Sequence, residues 1–268
     1  LCFEPAGQAQ SPSYDFDGEQ LRYRLYWMVF HVADSVSTAV RLDGERYRFT
    51  GKVATAGVAS WFKKIEDYGY SIWNERTLCP EKTYISQREG NYARVRTYTY
   101  DITNRLVRYE KRNPRTGKVQ LRLIRISALP FQDIVTSTFY FRRYGNFTVG
   151  AQTSFPLFAG GRFQEVRFLV VRKERIDTVF GEMEVFRVVP SENLSPEGVF
   201  KRKGKVVFWF TADSRHLPVK VSAEVAVGSV SAVLVDAKGK GFDLRKDYER
   251  RRKKTLMEKI LSGVIGGE

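Results

Sequence analysis

The most constraining feature of this sequence is a two-residue rhythm that returns, after short interruptions, from Leu21 to Asp236. Leu21, Tyr23, Leu25, Trp27 and Val29 take every second position, with Arg22 and Arg24 between them. On a β-strand successive side chains point to opposite faces, so this spacing gives one apolar and one polar face. Val36, Thr38, Val40 and Leu42 repeat the pattern. The turn dipeptide Asp43-Gly44 then leads into Tyr47 and Phe49, which alternate with Arg46 and Arg48, and the whole reads as a hairpin. Further strands are predicted near 68–72, 82–89, 92–101, 105–112, 118–126, 152–158, 162–175, 182–190, 204–211, 217–227 and 229–236. The sequence thus predicts about twelve strands joined mostly by short turns, a meander that must curl to bury its apolar face.

Two segments break the rhythm. Residues 57–64 suit a short helical turn. From Phe131 to Tyr144, Ile134, Thr138 and Phe141 fall on one side with Val135 and Phe139 beside them, and Asp133 stands where a helix cap is needed. The predicted class is all-β: an antiparallel curved sheet forming a half-barrel or barrel, with these two short covering helices and a C-terminal helix from about Leu244 to Leu261. No internal repeat or Pro/Gly/Ser linker divides the strands, so residues 14–237 read as one domain. Residues 1–13 read as a leader remnant or disordered terminus, with Gly7 and Ala9 spaced for cleavage after Ala9. Cys2 and Cys79 are able to pair only if that leader stays attached. Residues 238–268 form a basic extension with ten cations and five acids.

Composition narrows the chemistry. Lys and Arg number 45 against 30 acids, a formal charge of +15. That surplus suits nucleic acid, an anionic membrane surface or an acidic polymer. With two cysteines and two histidines, a disulfide framework and a multi-ligand metal site are not expected, and no cofactor is called for. His216 sits in a predicted turn and reads as solvated, His31 falls at a strand end, and no Gly-x-Ser-x-Gly elbow accompanies either. Glu66 and Asp67 are the carboxylates nearest to a glycan-cleaving arrangement, although such clusters are more often solvated. The basic stretch Gly198–Lys205 lacks the Gly-Lys-Ser/Thr ending of a phosphate loop. Tyr92, Arg94, Arg96, Tyr98 and Tyr100 share a strand face that would suit single-stranded nucleic acid, but no matching sheet motif accompanies them, and nucleic acid is not the expected partner. No catalytic residue is assigned.

Several stretches in order resemble the bacterial family known as domain of unknown function 3108. They are Gly18–Tyr23 followed by Trp27, Gly57–Asp67 and Arg88–Tyr92, then Gln132–Arg142, Gly198–Trp209, Arg215–Lys220 and Gly228–Val230. The resemblance spans roughly residues 16–235 and implies an exported envelope protein, periplasmic or otherwise in the cell envelope, similar in shape to the half-barrels of lipoprotein carriers. It lends no catalytic residue. The leading expectation is a non-enzymatic protein that binds a lipid, acyl chain or other apolar body with an anionic head. Trp27, Trp61, Phe62, Phe139, Tyr140 and Trp209 are the candidate cavity or lid positions. Arg250, Arg251, Arg252, Lys253 and Lys254 are the candidate contacts to an anionic membrane surface. The alternatives are a filled barrel acting as a scaffold at such a surface and a polysaccharide-active enzyme using Glu66 and Asp67.

Overall fold

The computed structural model describes residues 14–57, 64–190 and 206–265. Their fold is one sheet of sixteen strands. In chain order these are β1 (Gln20–Trp27), β2 (Phe30–Arg41), β3 (Arg46–Thr55), β4 (Glu66–Asn74), β5 (Cys79–Glu89), β6 (Tyr92–Asp101), β7 (Leu106–Arg112) and β8 (Val119–Arg125). The second half holds β9 (Gln132–Asp133), β10 (Gln152–Ala159), β11 (Arg162–Thr178), β12 (Gly181–Pro190), β13 (Val206–Thr211), β14 (Pro218–Glu224), β15 (Ser229–Gly239) and β16 (Phe242–Asp243). Two helices join them: α1 (Thr136–Tyr144) and α2 (Leu244–Ile265).

The meander expected from the alternation is present, with one long-range link. Strands β8 back to β1 lie side by side in reverse chain order, β1 then pairs with β15, and β15 back to β9 complete the sheet. Every strand pair is antiparallel except β9, which lies parallel to β10. The ladder does not close: β8 and β9 are its two ends. The ends are nevertheless bridged by packing. Tyr98, Tyr100 and Val107 from β6 and β7 share a buried cluster with Phe131 and with Phe158 of β10. The sheet is therefore curved and barrel-like but unclosed, with side chains meeting across one seam where no backbone ladder runs.

Three local expectations are corrected. The alternation carries the first strand through Val29, but β1 stops at Trp27 and β2 already begins at Phe30. The chain reverses at Met28-Val29, where Met28 takes φ +53. No turn residue marks the site, so an apolar reversal reads in sequence as continuous strand. The helix expected from Phe131 begins only at Thr136, because Gln132 and Asp133 first add β9 to the sheet beside Leu157 and Phe158. Ile134, placed on its apolar side, is exposed. The strand count exceeds the expectation partly through β9 and β16, each two residues long and too short to show a period. The turn at 58–64 lies almost wholly outside the described residues, as does the leader.

Helix α1 is a plug in the concave side of the sheet. Phe141 packs with Phe155, Val166, Val188 and Phe210 on one side. Phe139 packs with Phe16, Tyr47, Phe49 and Trp73 on the other. A helix buried on two sides needs its orphaned N–H groups satisfied internally. Asp133 does this as expected: one carboxylate oxygen accepts the N–H groups of Val135 and Thr136 at 2.8 Å each. The Thr136 hydroxyl accepts the Asp133 N–H in return, at 3.0 Å. At the other end the Gly145 N–H donates to the Phe141 carbonyl at 2.8 Å, and a Cβ on Gly145 would fall 2.4 Å from that oxygen. Only glycine fits this exit without a backbone shift.

Helix α2 leaves the barrel. Leu244 is buried and Tyr248 half-buried, both against a cluster that includes Phe180, Val185, Leu217 and Leu234. From Glu249 to Glu258 every side chain is exposed.

Candidate functional site: an apolar cavity above a buried ion pair

The concave side is not filled throughout. Between α1 and strands β1, β2, β3, β13, β14 and β15 lies a cavity of about 330 Å³. Strand alternation builds its wall. Leu21, Tyr23 and Leu25 point inward from β1, Ser35 and Ser37 from β2, and Phe208, Val221 and Ala232 from three strands opposite. Val135, just before α1, and Thr138 and Phe139 within it supply the other side. The space exists because several inward positions carry small residues. Ser35, Ser37, Gly51 and Ala232 stand where an aromatic would fill the barrel, and a Cβ added to Gly51 would meet nothing within 4 Å.

One charged residue touches this cavity, Arg142 of α1. Its guanidinium grips Glu19 through two parallel bonds, Nη1 to Oε1 at 2.7 Å and Nη2 to Oε2 at 2.6 Å. Both side chains are 1% exposed. Nε and Nη2 also donate to the Arg215 carbonyl at 3.2 and 3.0 Å. The Tyr14 hydroxyl donates to Glu19 at 2.5 Å. The rings of Phe16, Tyr14 and Phe139 surround the guanidinium at 4.9, 5.5 and 5.6 Å. Burial works to lower the Arg142 pKa, but the Glu19 carboxylate outweighs it and the net direction is upward. Burial, then the Glu19 charge, raises the Tyr14 hydroxyl. Burial likewise raises Tyr23 on the cavity wall. A fork of this kind is geometrically specific, and its charge is balanced inside the protein. The cavity thus meets a neutral pair and not a free cation.

A second buried polar group holds α1 to the sheet. The other Asp133 oxygen accepts the Ser71 hydroxyl at 2.6 Å and the Thr83 hydroxyl, and the Thr83 oxygen lies 2.9 Å from the Tyr100 hydroxyl. Burial and then the nearby Asp133 carboxylate raise the Tyr100 pKa. This cluster acts as the mooring of the plug.

A family model described as protein of unknown function, DUF3108, matches residues 22–235. The chain belongs to this family. The match takes in the cavity wall from Tyr23 to Ala232 and stops short of α2. No curated protein matches the chain. Among solved structures, it is similar to a β-barrel-like protein of domain of unknown function DUF1849 from Brucella abortus, with 6% identity over 84% of this chain and 98% of that one and a TM-score of 0.53. That likeness speaks for the barrel-like fold alone. A Bacteroides fragilis protein with a YmcC-like fold aligns over 83% of this chain and 96% of its own, at 11% identity and a TM-score of 0.35. The second superposes too loosely to add to the fold argument.

Within this DUF3108 barrel the six residues expected at the cavity separate. Phe139 lines it, stacked on Phe49 at 3.8 Å. Tyr140, the next residue on the helix, turns away to pack on Phe155 and Tyr144. Trp27 stands at the β1–β2 tip, 41% exposed, with its indole N–H donating to the Val227 carbonyl. Trp209 lies on the other face of β13 from Phe208 and Phe210. There its indole donates to Glu174 at 2.8 Å and its ring meets Lys220 and Arg187. Three consecutive aromatics carry no period, so the sequence does not say which of them faces inward. Trp61 and Phe62 lie outside the described residues. Arg250 to Lys254 are all exposed on α2.

The groups considered for catalysis are held apart. Glu66 pairs with Lys64 at 3.0 Å, and that hydrogen bond and charge keep its pKa low, so it stays ionised. Asp67, on the opposite face of β4, accepts the Arg88 N–H. The two carboxylates therefore do not face one another. His31 bonds to Asp34, and His216 is half-buried, stacked on Phe147 at 3.7 Å. The solvated turn expected for His216 is thus corrected: the turn folds back onto α1, where the imidazole meets the Arg142 carbonyl. Among the described residues no cluster of metal-ligating side chains occurs. What the sequence reading missed is the Glu19–Arg142 pair, which joins residues 123 apart, and the row of small inward residues. The latter was open to detection as Ser35 and Ser37 at alternate positions of a strand.

Proposed function

We propose that this protein binds an apolar ligand, such as an acyl chain, in the cavity between α1 and the sheet, and does so without catalysing a reaction on it. The observation that carries this reading is the cavity itself: about 330 Å³ of space faced almost wholly by carbon. Ligand sites of roughly 300–1,000 Å³ take this form, concave and apolar with few polar points. Because Arg142 is already neutralised by Glu19, a charged head is better placed outside the cavity, with only the chain inside. Such a protein fits an exported role in the cell envelope, where acyl-bearing partners and anionic surfaces meet; no helix among the described residues is long and apolar enough to cross a membrane.

The test is native mass spectrometry with lipid extraction of the purified protein, followed by titration with a fluorescent fatty acid. Ala232→Phe is expected to keep the fold and weaken probe binding about tenfold or more. Unchanged binding in that variant, or a purified protein that takes up no probe, sinks the reading. A second reading rests on α2, whose five consecutive cations are exposed. Each contributes on the order of 1 kcal/mol near an anionic bilayer, so the tail would hold a scaffold at such a surface. Replacing Arg250–Lys254 with serine and measuring pelleting with anionic vesicles tests it; undiminished pelleting removes the tail's role.

A further inference from the structure

The least expected surface lies at the rim, away from α2. Trp27, Met28, Val29 and Phe30 are 41, 53, 80 and 60% exposed, and Val227 of the neighbouring β14–β15 turn is 67% exposed. Four consecutive apolar residues on a two-residue reversal form a prow and not a patch of wall. Its shape is held from behind. The Met28 N–H donates to the Ser229 carbonyl at 2.8 Å, and the Trp27 indole N–H donates to Val227 at 2.9 Å. Gly228, at φ +76, lets Met28 cross it, since a Cβ there would fall 2.7 Å from the Met28 Cγ. The tip is thus shaped by the fold, and its apolar atoms are left in water, where they cost free energy unless something covers them.

The same rim carries cations. Backbone hydrogen bonds run from Ala56 to Val32, from Thr55 to Ile65 and from Gly90 to Lys64, so the rim is continuous from the tip to the β5–β6 turn. There a cleft is lined by Lys64, Arg88, Arg115, Tyr92 and one carboxylate, Glu66. Glu66 neutralises Lys64. Arg115 donates to the Gly90 carbonyl and Asn91, both uncharged. Arg88 also acts on Glu66 through its charge, so among the described lining residues three cations face one carboxylate and the cleft keeps a positive surplus.

We infer that this rim docks on an anionic phospholipid surface, with Trp27–Phe30 and Val227 entering the acyl boundary and Arg88 and Arg115 meeting lipid phosphates. An indole with its N–H satisfied and its ring exposed suits the interfacial layer, and apolar insertion with cation contact is how non-spanning elements hold to bilayers. The tip is the far end of β1 from α2: seven steps at about 3.3 Å put Gln20 and Trp27 about 23 Å apart. Tip and basic tail therefore root at opposite ends of that strand. The inference does not depend on what fills the cavity.

Co-sedimentation of the full chain with phosphatidylglycerol–phosphatidylcholine vesicles, and with phosphatidylcholine alone, tests it. The native protein is expected to pellet with the anionic vesicles. Val29→Asp with Phe30→Asp, both exposed and so harmless to the core, is expected to weaken pelleting about tenfold or more. Arg88→Glu with Arg115→Glu is expected to lower it on the anionic vesicles only. Serine at Arg250–Lys254 is expected to leave at least half of it. No pelleting of the native protein, or equal pelleting of the tip variant, overturns the inference. So does a dimer, seen by light scattering without vesicles, that the tip substitutions dissociate, since a second copy would then be what covers the tip.

Discussion

The two halves of the barrel obey the same alternation and differ in what it puts inside. Around β5, β6, β7 and β10 the inward positions carry rings: Tyr98 meets Phe158 edge-on at 5.4 Å and stacks on Tyr109 at 4.9 Å, and Phe131 meets Tyr100 at 5.3 Å. Around β1, β2, β3 and β15 the corresponding positions carry Ser35, Ser37, Gly51 and Ala232, and the interior stays open. Strand periodicity says which residues face inward; side-chain volume says whether the inside is core or cavity. The filled half accounts for cohesion, and the open half supplies the space to which the proposed ligand is assigned.

Phe158→Ala is expected to be the most damaging change, about 4 kcal/mol by urea denaturation, because it leaves a void among packed rings. Leu25→Ala, bordering space already open, is expected to cost only about 1 kcal/mol. Equal losses would erase the distinction between the halves. Arg142→Met lies at the boundary and is expected to cost about 3 kcal/mol, since it strands a buried Glu19 that keeps only the Tyr14 hydroxyl as a charge-satisfying partner. Adding Glu19→Leu should restore much of that loss; failure to do so would give the pair a role beyond its own charge balance. Gly51→Val is expected to act in the opposite sense, stabilising by about 0.5–1 kcal/mol because a strand glycine is replaced where there is room. The same variant should bind the fatty-acid probe more weakly, and a Gly51→Val protein that gains stability without losing binding would separate the cavity from the ligand.

The smallest effect is in pH. Burial holds the His216 imidazole below its ordinary pKa, against the opposing pull of the Arg142 carbonyl and Asp213. The folded chain therefore binds fewer protons than the unfolded chain from about pH 6.5 down to the depressed value. Stability should decline as pH falls through that window and the decline should end below it. His216→Asn, which tolerates the φ of +44 at this turn, should flatten that part of the profile measured by thermal melts.

Much of the sheet was legible because alternation is a local signal. Asp133 was legible as a cap for the same reason, its partners being two and three residues away. The tip was hidden because Trp27-Met28-Val29-Phe30 has the composition of a strand, and only the left-handed φ at Met28 turns it. Trp209 was misplaced because flanking Phe208 and Phe210 erase the period. The pair of Glu19 and Arg142 was beyond reach: nothing in either neighbourhood names a partner 123 residues off. The cavity was partly within reach, since an aromatic-rich chain that places Ser35, Ser37 and Gly51 on inward faces is declining to fill its own interior.

The seam between β8 and the β9–β10 side has a mechanical meaning. A closed barrel has a girth set by its hydrogen-bond ladder, and widening it means breaking bonds along a whole strand. Here the circumference ends in two edges joined by no backbone ladder: Ile124, Phe131, Phe158 and Phe163 pack across the seam, and a few side-chain bonds, from Asp133 to Ser71 and Thr83 and from Gln132 to the Leu78 carbonyl, tie β9 to the facing strands. Widening the girth at this seam thus costs a few side-chain contacts and bonds, where a closed ladder would lose those of a whole strand. Amide exchange faster along β8 than along the central β1–β15 pair would register that give; uniform protection around the sheet would mean that the clasp is as firm as the ladder.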